Sequence, residues 1–333
     1  VSETVSGGTT TVTGGDSYKF EKTSTKFHLG DAITTVVSSD LDEDDMPVLL
    51  NDGKYVDDDN DEFDFEQKIS MAGSSLTMFE DNDYMDDVPS LGIRIASGSE
   101  VLNYTLEFND EPLIADMPTT DLTLMGKEYY VLSAAYNTFT LLDSAADTIL
   151  AEGETATLNV GGKSYTISIN FVSSSEAKLT VNGENTNSLA EGETYKLDDG
   201  SYIGLKDILY TAKDTGVSKV EFSLGSGKLV LTSGSEVELN EDNVEGLTTT
   251  ITNSTTSMSS IKLHWTADDD LFVTEDSTIT MPGFGNVQLA YGGLDFPMEE
   301  TIKITNDGDD SIVLEDFPLK DGAADINLLF SNG

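Results

Sequence analysis

The chain has 333 residues, of which 62 are Asp or Glu and 17 are Lys or Arg, giving a formal net charge of −45. That imbalance excludes nucleic acid as a partner, the more so because Arg94 is the single arginine and bidentate phosphate recognition rests on arginine. A hydrophobic content of 38% with 14 Phe and 12 Tyr excludes a disordered acidic tail, the lack of Cys excludes disulfides and thiolate metal sites, and no apolar run reaches the ~18 residues of a membrane helix.

A compact body with so many like charges repels itself in dilute buffer. It needs concentrated salt, whose Debye length at 1 M is about 3 Å, or bound divalent cations. Both conditions point outside the cytosol. The opening of the chain at Val1 on Ser, Gly and Thr is what removal of a secretory leader would leave.

Short runs with period-2 alternation, bounded by Gly, Asn, Asp and Ser, recur along the chain, and no 3.6-residue amphipathic segment interrupts them. The expected fold is all-β, with several β-sandwich-like domains, long acidic loops and little helix. Residues 1–15 read as a loose strand or a linker. Residues 16–120 hold most acidic blocks together with Phe20, Phe27, Phe63 and Phe65, and residues 249–333 return to acidic loops around Trp265. The expectation is a discontinuous domain, 16–120 plus 249–333, with a strand-rich domain at 121–248 inserted.

Within the inserted block, Ser164 to Val172 places Tyr165, Ile167, Ile169 and Phe171 on one face. Lys178 to Asn182 is a strand, and Asn182-Gly183 is a type I′ turn. Lys219–Phe222 and Lys228–Leu231 are expected to pair around Gly225-Ser226-Gly227, and 301–305 with 311–314 around Asn306-Asp307-Gly308. Leu205–Leu209 and Asp143–Thr148 are the two places where a short helical turn is expected. The hexapeptide Leu150-Ala151-Glu152-Gly153-Glu154-Thr155 returns unchanged as Leu189-Ala190-Glu191-Gly192-Glu193-Thr194. Each copy leads into a hairpin, turning at Gly161-Gly162 and at Asp199-Gly200. Two copies are too few for a solenoid, so they are expected to be similar corners of one sandwich; metal ligation by the Glu pairs is the sharper alternative.

Acidic clusters are the main candidates for chemistry. The expected metal ligands are Asp40, Asp42 and Asp44, then Asp57, Asp59 and Asp61, then Asp81 and Asp83, and finally Asp307 and Asp309, with Ca2+ as the ion because alternate carboxylates in a loop can wrap a hard cation. Asp268–Asp270 is a shorter cluster. Asp57-x-Asp59-x-Asp61 opens like an EF-hand loop, but Glu62 replaces the Gly at position six and Lys68 the Glu at position twelve, so that loop type is excluded. Asn103-Tyr104-Thr105 and Asn253-Ser254-Thr255 are glycosylation sequons at Asn103 and Asn253. No catalytic residue is assigned: Asp214-Thr215-Gly216 stands alone, His28 and His264 have no nucleophile motif near them, and His264 reads as part of a half-buried strand.

Several segments carry a family likeness. They are Tyr104-Thr-Leu-Glu-Phe108, Leu122-Thr-Leu-Met-Gly-Lys-Glu-Tyr-Tyr-Val-Leu-Ser-Ala134, the two hexapeptides, Val160-Gly-Gly-Lys-Ser-Tyr165 and Leu179-Thr-Val-Asn-Gly-Glu184. Leu197-Asp-Asp-Gly-Ser-Tyr-Ile-Gly-Leu-Lys-Asp-Ile-Leu-Tyr210, Met281-Pro-Gly-Phe-Gly-Asn286 and Asp316-Phe-Pro-Leu-Lys-Asp-Gly322 continue it. Together, over about 100–333, they resemble archaeal S-layer proteins of the methanococcal type, including relatives in small-genome archaea. The resemblance implies a non-enzymatic, secreted glycoprotein that tiles with copies of itself over the cell, its acidic surface bridged by divalent cations, with an envelope anchor outside this chain. Two other readings remain open. One is a filament or pilus-like subunit in which Thr9 to Thr13 adds to a neighbour's sheet edge. The other is a Ca2+-dependent carbohydrate-binding adhesin or hydrolase, with Asp83-Tyr84 and Tyr291 beside Gly292-Gly293 as a sugar platform.

Overall fold

The computed structural model describes residues 2–6, 9–13, 15–20, 28–37, 40–85, 88–143, 145–212, 216–293, 303–306, 311–319 and 322–330. Over these the chain is all-β, every strand pairs antiparallel, and helix is limited to short 3-10 turns such as Ile33–Thr35 and Ile114–Asp116.

The first strands are β1 Ser2–Ser6, β2 Thr9–Thr13, β3 Gly53–Val56, β4 Glu62–Met71, β5 Leu76–Phe79, β6 Ser90–Ile95, β7 Glu100–Phe108, β8 Asp121–Leu124, β9 Lys127–Ala135 and β10 Thr138–Asp143. Next come β11 Ala146–Ala151, β12 Thr155–Val160, β13 Lys163–Val172, β14 Ala177–Val181, β15 Glu184–Asn185, β16 Thr194–Lys196, β17 Tyr202–Leu209 and β18 Lys219–Gly225. The remainder are β19 Gly227–Thr232, β20 Glu236–Leu239, β21 Asp242–Asn253, β22 Met258–Thr266, β23 Leu271–Thr274, β24 Ile279–Thr280, β25 Gln288–Leu289, β26 Lys303–Asn306, β27 Ser311–Leu319 and β28 Gly322–Phe330. The N-terminal segment read as a strand or linker is the β1–β2 pair, with Ser2 opposite Thr13.

A ten-stranded sheet in the order β3-β4-β7-β22-β21-β20-β19-β10-β9-β8 dominates the structure. Its alternation is strict where it matters: Leu102, Tyr104 and Leu106 of β7 oppose Trp265, Leu263 and Ile261 of β22, and all six are buried. Each such side chain contributes about 1.5–3 kcal/mol by leaving water. The sheet curls until its edges meet, with the Tyr55 hydroxyl of β3 lying 2.6 Å from Thr120 Oγ1 at the start of β8. The enclosed core holds one buried amide, Gln67. Its Oε1 accepts from the Tyr104 hydroxyl and from the Met125 N–H at 3.0 Å, and its Nε2 donates to the Asn51 carbonyl at 2.6 Å. A buried polar group is tolerated when its bonds are made, and these tie β4, β7 and the β8–β9 turn together. The small β23-β6-β5 sheet packs Leu76, Ile93, Ile95 and Val273 onto the same core.

Residues 146–224 form a separate sandwich with its own core. Sheet β11-β18-β17-β16 faces sheet β12-β13-β14-β15 across Leu150, Ile167, Leu179, Leu205 and Phe222. Here the repeated hexapeptide is explained. Leu150 and Leu189 both enter the core, and each corner then carries the chain from one sheet to the other. Gly153 at φ +87° and Gly192 at φ +80° take the left-handed conformation the corner needs. Glu154 accepts from the Ala151 N–H at 3.2 Å and Glu193 from the Ala190 N–H at 2.9 Å, so the last Glu of each copy closes its own turn.

Several expectations need correction. β18 and β19 do not pair with each other: Gly225 packs against Leu142 too closely for a Cβ, and at Gly225–Gly227 the chain crosses from the sandwich back to the ten-stranded sheet. Residues 205–209 and 146–148 lie in strands, with Leu205 and Ile208 buried by strand pairing rather than by a helical face. Phe171 is 48% exposed, because a bulge between Ile169 and Phe171 turns it out of the face shared by Tyr165, Ile167 and Ile169. The insertion is also shorter than 121–248, since β8–β10 and β19–β21 belong to the same sheet as β3, β4, β7 and β22. The expected hairpins at Gly161-Gly162, Asn182-Gly183 and Asp199-Gly200 are present, and β26 pairs with β27.

From Gly293 onward the chain forms a second compact unit. Its described part is the three-stranded β26-β27-β28 meander, in which Val313 is buried.

Gly126 tests the closure of the sheet. At φ +70°, a Cβ there would stand 2.5 Å from the Val48 carbonyl oxygen. Gly126→Ala is therefore expected to lower unfolding free energy by at least about 2 kcal/mol in urea titration, the sum of a left-handed Ala and an overpacked contact.

Candidate functional site

The acidic loops resolve into sites of different character. Asp57 to Asp61 is the turn of the β3–β4 hairpin. Asp57 is only 7% exposed, and its Oδ1 accepts from the Asp61 N–H at 2.8 Å, so it serves the turn; Asn60 at φ +66° completes it. Asp59 projects on the other side and comes together with Asp58 and Asp116, one carboxylate oxygen from each lying within 4.8 Å of the others. Asp116 stands in the 3-10 turn between β7 and β8, and its carbonyl accepts from the Asp58 N–H at 3.1 Å. Neither Asp58 nor Asp116 is among the expected ligands. Burial and the neighbouring Asp116, Asp59 and Asp57 raise the Asp58 carboxyl above the usual carboxylate value.

In the first loop, Asp40 accepts from the Ser70 hydroxyl at 2.7 Å and Asp42 from the Asp44 N–H at 3.0 Å, while Asp44 is exposed. These three do not converge with other acids into a cluster among the described residues. Asp307 and Asp309 lie outside the described residues.

The loop at 81–83 meets a cation instead. Arg94 on β6 donates through Nε to Asp81 Oδ2 at 2.8 Å and through Nη2 to Asp270 Oδ2, joining two acidic clusters that are far apart in sequence. Asp81 is 9% exposed at its side chain, and its Oδ1 caps the Asp83 N–H at 3.0 Å. Asp270 Oδ1 in turn accepts from the Ser97 N–H at 2.7 Å. The single arginine was visible in the sequence, but its partners were not, since nothing in the pattern links 81 with 270.

Beside β8 and β9 of the ten-stranded sheet lies a cleft of about 580 Å3, lined by Asn51, Asp121, Lys127, Glu128 and Tyr130 among others, and Tyr130 is also where Lys206 of the sandwich packs on the sheet. At this junction Lys206 is 4% exposed; its Nζ stands 2.7 Å from Glu221, 3.5 Å from Asp147 and 4.7 Å above the Tyr130 ring. Partial loss of water in the cleft, with Glu128 and Asp147 facing it, raises the Asp121 carboxyl above its ordinary value.

The histidine and the sequons have structural surroundings. His264 Nδ1 donates to Asn103 Oδ1 at 2.7 Å, and Nε2 lies 3.0 Å from Thr250 Oγ1, so the imidazole is held by an amide and a hydroxyl. Asn103 stands mid-strand between β4 and β22, and the Asn253 side-chain nitrogen donates to the Tyr136 carbonyl. Asp214 lies outside the described residues.

No family model, curated protein or solved structure matches the chain. Its class therefore rests on its own geometry: a strongly acidic, all-β chain of several antiparallel sheets.

Two measurements follow from these sites. Arg94→Lys keeps the charge but cannot serve both carboxylates in one plane, and it is expected to cost about 1–2 kcal/mol in chemical denaturation. Asp121→Asn should act in the opposite direction. A carboxyl raised in the folded state weakens folding once ionised, so the variant should melt higher than the parent at pH 7 and lose that gain as pH falls toward the ordinary Asp value of 3.8. The gain stays below about 1 kcal/mol, because the group remains open to solvent.

Proposed function

We propose that the protein is a non-enzymatic structural subunit of an archaeal-type surface layer, exported to the cell exterior and assembling with copies of itself into a two-dimensional lattice. One observation carries the reading. Among the described residues, no Lys or Arg forms an ion pair with any carboxylate of the loops 40–45 and 57–61, or with Asp116. The lysines and Arg94 that do pair lie elsewhere, so the loops keep their full charge for an external cation. Ca2+ suits carboxylates presented in this way, with Asp58, Asp59 and Asp116 as the first ligands and copies of the chain supplying the rest.

An all-β scaffold of several sheets, without disulfides and without a helix long and apolar enough to cross a membrane among the described residues, suits repeated head-to-tail contacts. The strand-addition filament is the weaker alternative, since Thr9 to Thr13 already pairs along one edge with Ser2 to Ser6.

Negative-stain imaging across Ca2+ and NaCl concentrations tests the proposal. Sheets or ordered aggregates are expected with Ca2+, and the double variant Asp58→Asn with Asp116→Asn should need severalfold more Ca2+ to form them. Monodisperse particles under every condition would overturn it.

A further inference from the structure

The β23-β6-β5 sheet has two faces of unequal character. Leu76, Ile93, Ile95 and Val273 point into the main core. The opposite face carries Phe79, opposite Ser90, and Phe272, opposite Arg94. Tyr84, from the turn after β5, lies on Phe272 with ring centroids 4.7 Å apart and planes 18° apart. Phe79 completes a trio, 5.6 Å from Phe272 and 6.0 Å from Tyr84.

These three rings belong to none of the hydrophobic cores, and all three are only half-buried. A contiguous aromatic surface left partly in water on a chain of charge −45 is the kind of patch that marks a binding site. Its border is polar and fixed: Arg94 stands beside Phe272 with its guanidinium held between Asp81 and Asp270. The Tyr84 hydroxyl is 2.5 Å from Thr274 Oγ1, which sets the angle of the ring.

We infer that this face binds a neutral saccharide, the apolar face of a pyranose ring lying on the outer side of Tyr84, whose inner side is stacked on Phe272, and its hydroxyls reaching the Arg94–Asp270 border. Flat aromatic rings next to a rigid set of charged donors and acceptors match a ring that is apolar on its faces and hydroxylated around its rim. Neutrality follows from the charge count at the border, where one guanidinium faces two carboxylates and Asp83 adds a third nearby. A uronate or sulfated sugar would meet net repulsion there. The inference does not depend on lattice assembly, which involves other loops.

The test is an array of neutral hexose and N-acetylhexosamine oligosaccharides probed with the intact chain, followed by calorimetric titration of the best-retained one. Phe272→Leu keeps apolar volume but removes the flat ring on which Tyr84 is stacked, and should weaken binding about tenfold or more, equivalent to about 1.4 kcal/mol. Tyr84→Ala should do the same, while Phe171→Leu, an exposed aromatic on the sandwich, should change nothing. Unaltered circular dichroism and melting temperature of Phe272→Leu separate lost binding from lost folding. Retention of no neutral glycan, retention of uronates alone, or wild-type affinity in Phe272→Leu would each overturn the inference.

Discussion

Positive charge is the scarcest resource in this chain, and several of its few cations stand where separate segments of the fold are held together. Lys206 is the clearest case. It is sealed at the junction between the sandwich and the ten-stranded sheet, reaching Glu221 and Asp147 while covering the Tyr130 ring. Arg94 does the same for two acidic segments, and Lys163 stands 3.1 Å from Asp199, linking the two hairpin turns that follow the repeated corners. Tyr165 reinforces that last contact by donating to Asp199 at 2.8 Å. A chain with more lysines could scatter them over its surface; here the buried Lys206 is screened least by salt, and its contact with the Tyr130 ring is what spans the two parts.

Much of the architecture could be read from the residues alone, because strand alternation and glycine turns are local signals. The hairpins at Gly161-Gly162, Asn182-Gly183 and Asp199-Gly200 are of this kind, and so are the two identical corners. What could not be read was which strands lie in which sheet. Lys219–Phe222 and Lys228–Leu231 look like a hairpin at short range, yet Gly225 has to fit against Leu142, a residue more than eighty positions upstream, and that contact sends the two strands apart. The same non-local pairing moved the edges of the inserted module inward, to 146 and 224.

The acidic loops show the same division. Their existence was plain from the sequence, but the role of each carboxylate depends on what the turn does with its backbone. Asp57 accepts from the Asp61 N–H and Asp42 from the Asp44 N–H, Asp81 faces Arg94, and Asp58 and Asp59 are left to meet Asp116 from a different connection. Asp116 stands alone in Ile114-Ala115-Asp116, with no spacing or neighbour to single it out. The aromatic trio was half-visible: Asp83-Tyr84 drew notice as an aromatic beside a carboxylate, whereas its stacking partner lies on β23, nearly two hundred residues later.

The sandwich enters and leaves through one point. The Ser226 N–H donates to the Asp143 carbonyl at 2.9 Å, and β10 and β19 are antiparallel neighbours up to Asp143 and Gly227. To the ten-stranded sheet, therefore, the whole module is a hairpin loop of roughly 80 residues. Lengthening a flexible loop from about 5 residues to about 80 is four doublings, which raises its closure entropy by only about 2.4 kcal/mol. Even that penalty disappears once the sandwich has formed its own core, because its folding already brings the two ends side by side. Order of events during synthesis is thereby built into the topology: the module emerges before β19, and when it folds it presents β10 with its partner as though only a tight turn separated them.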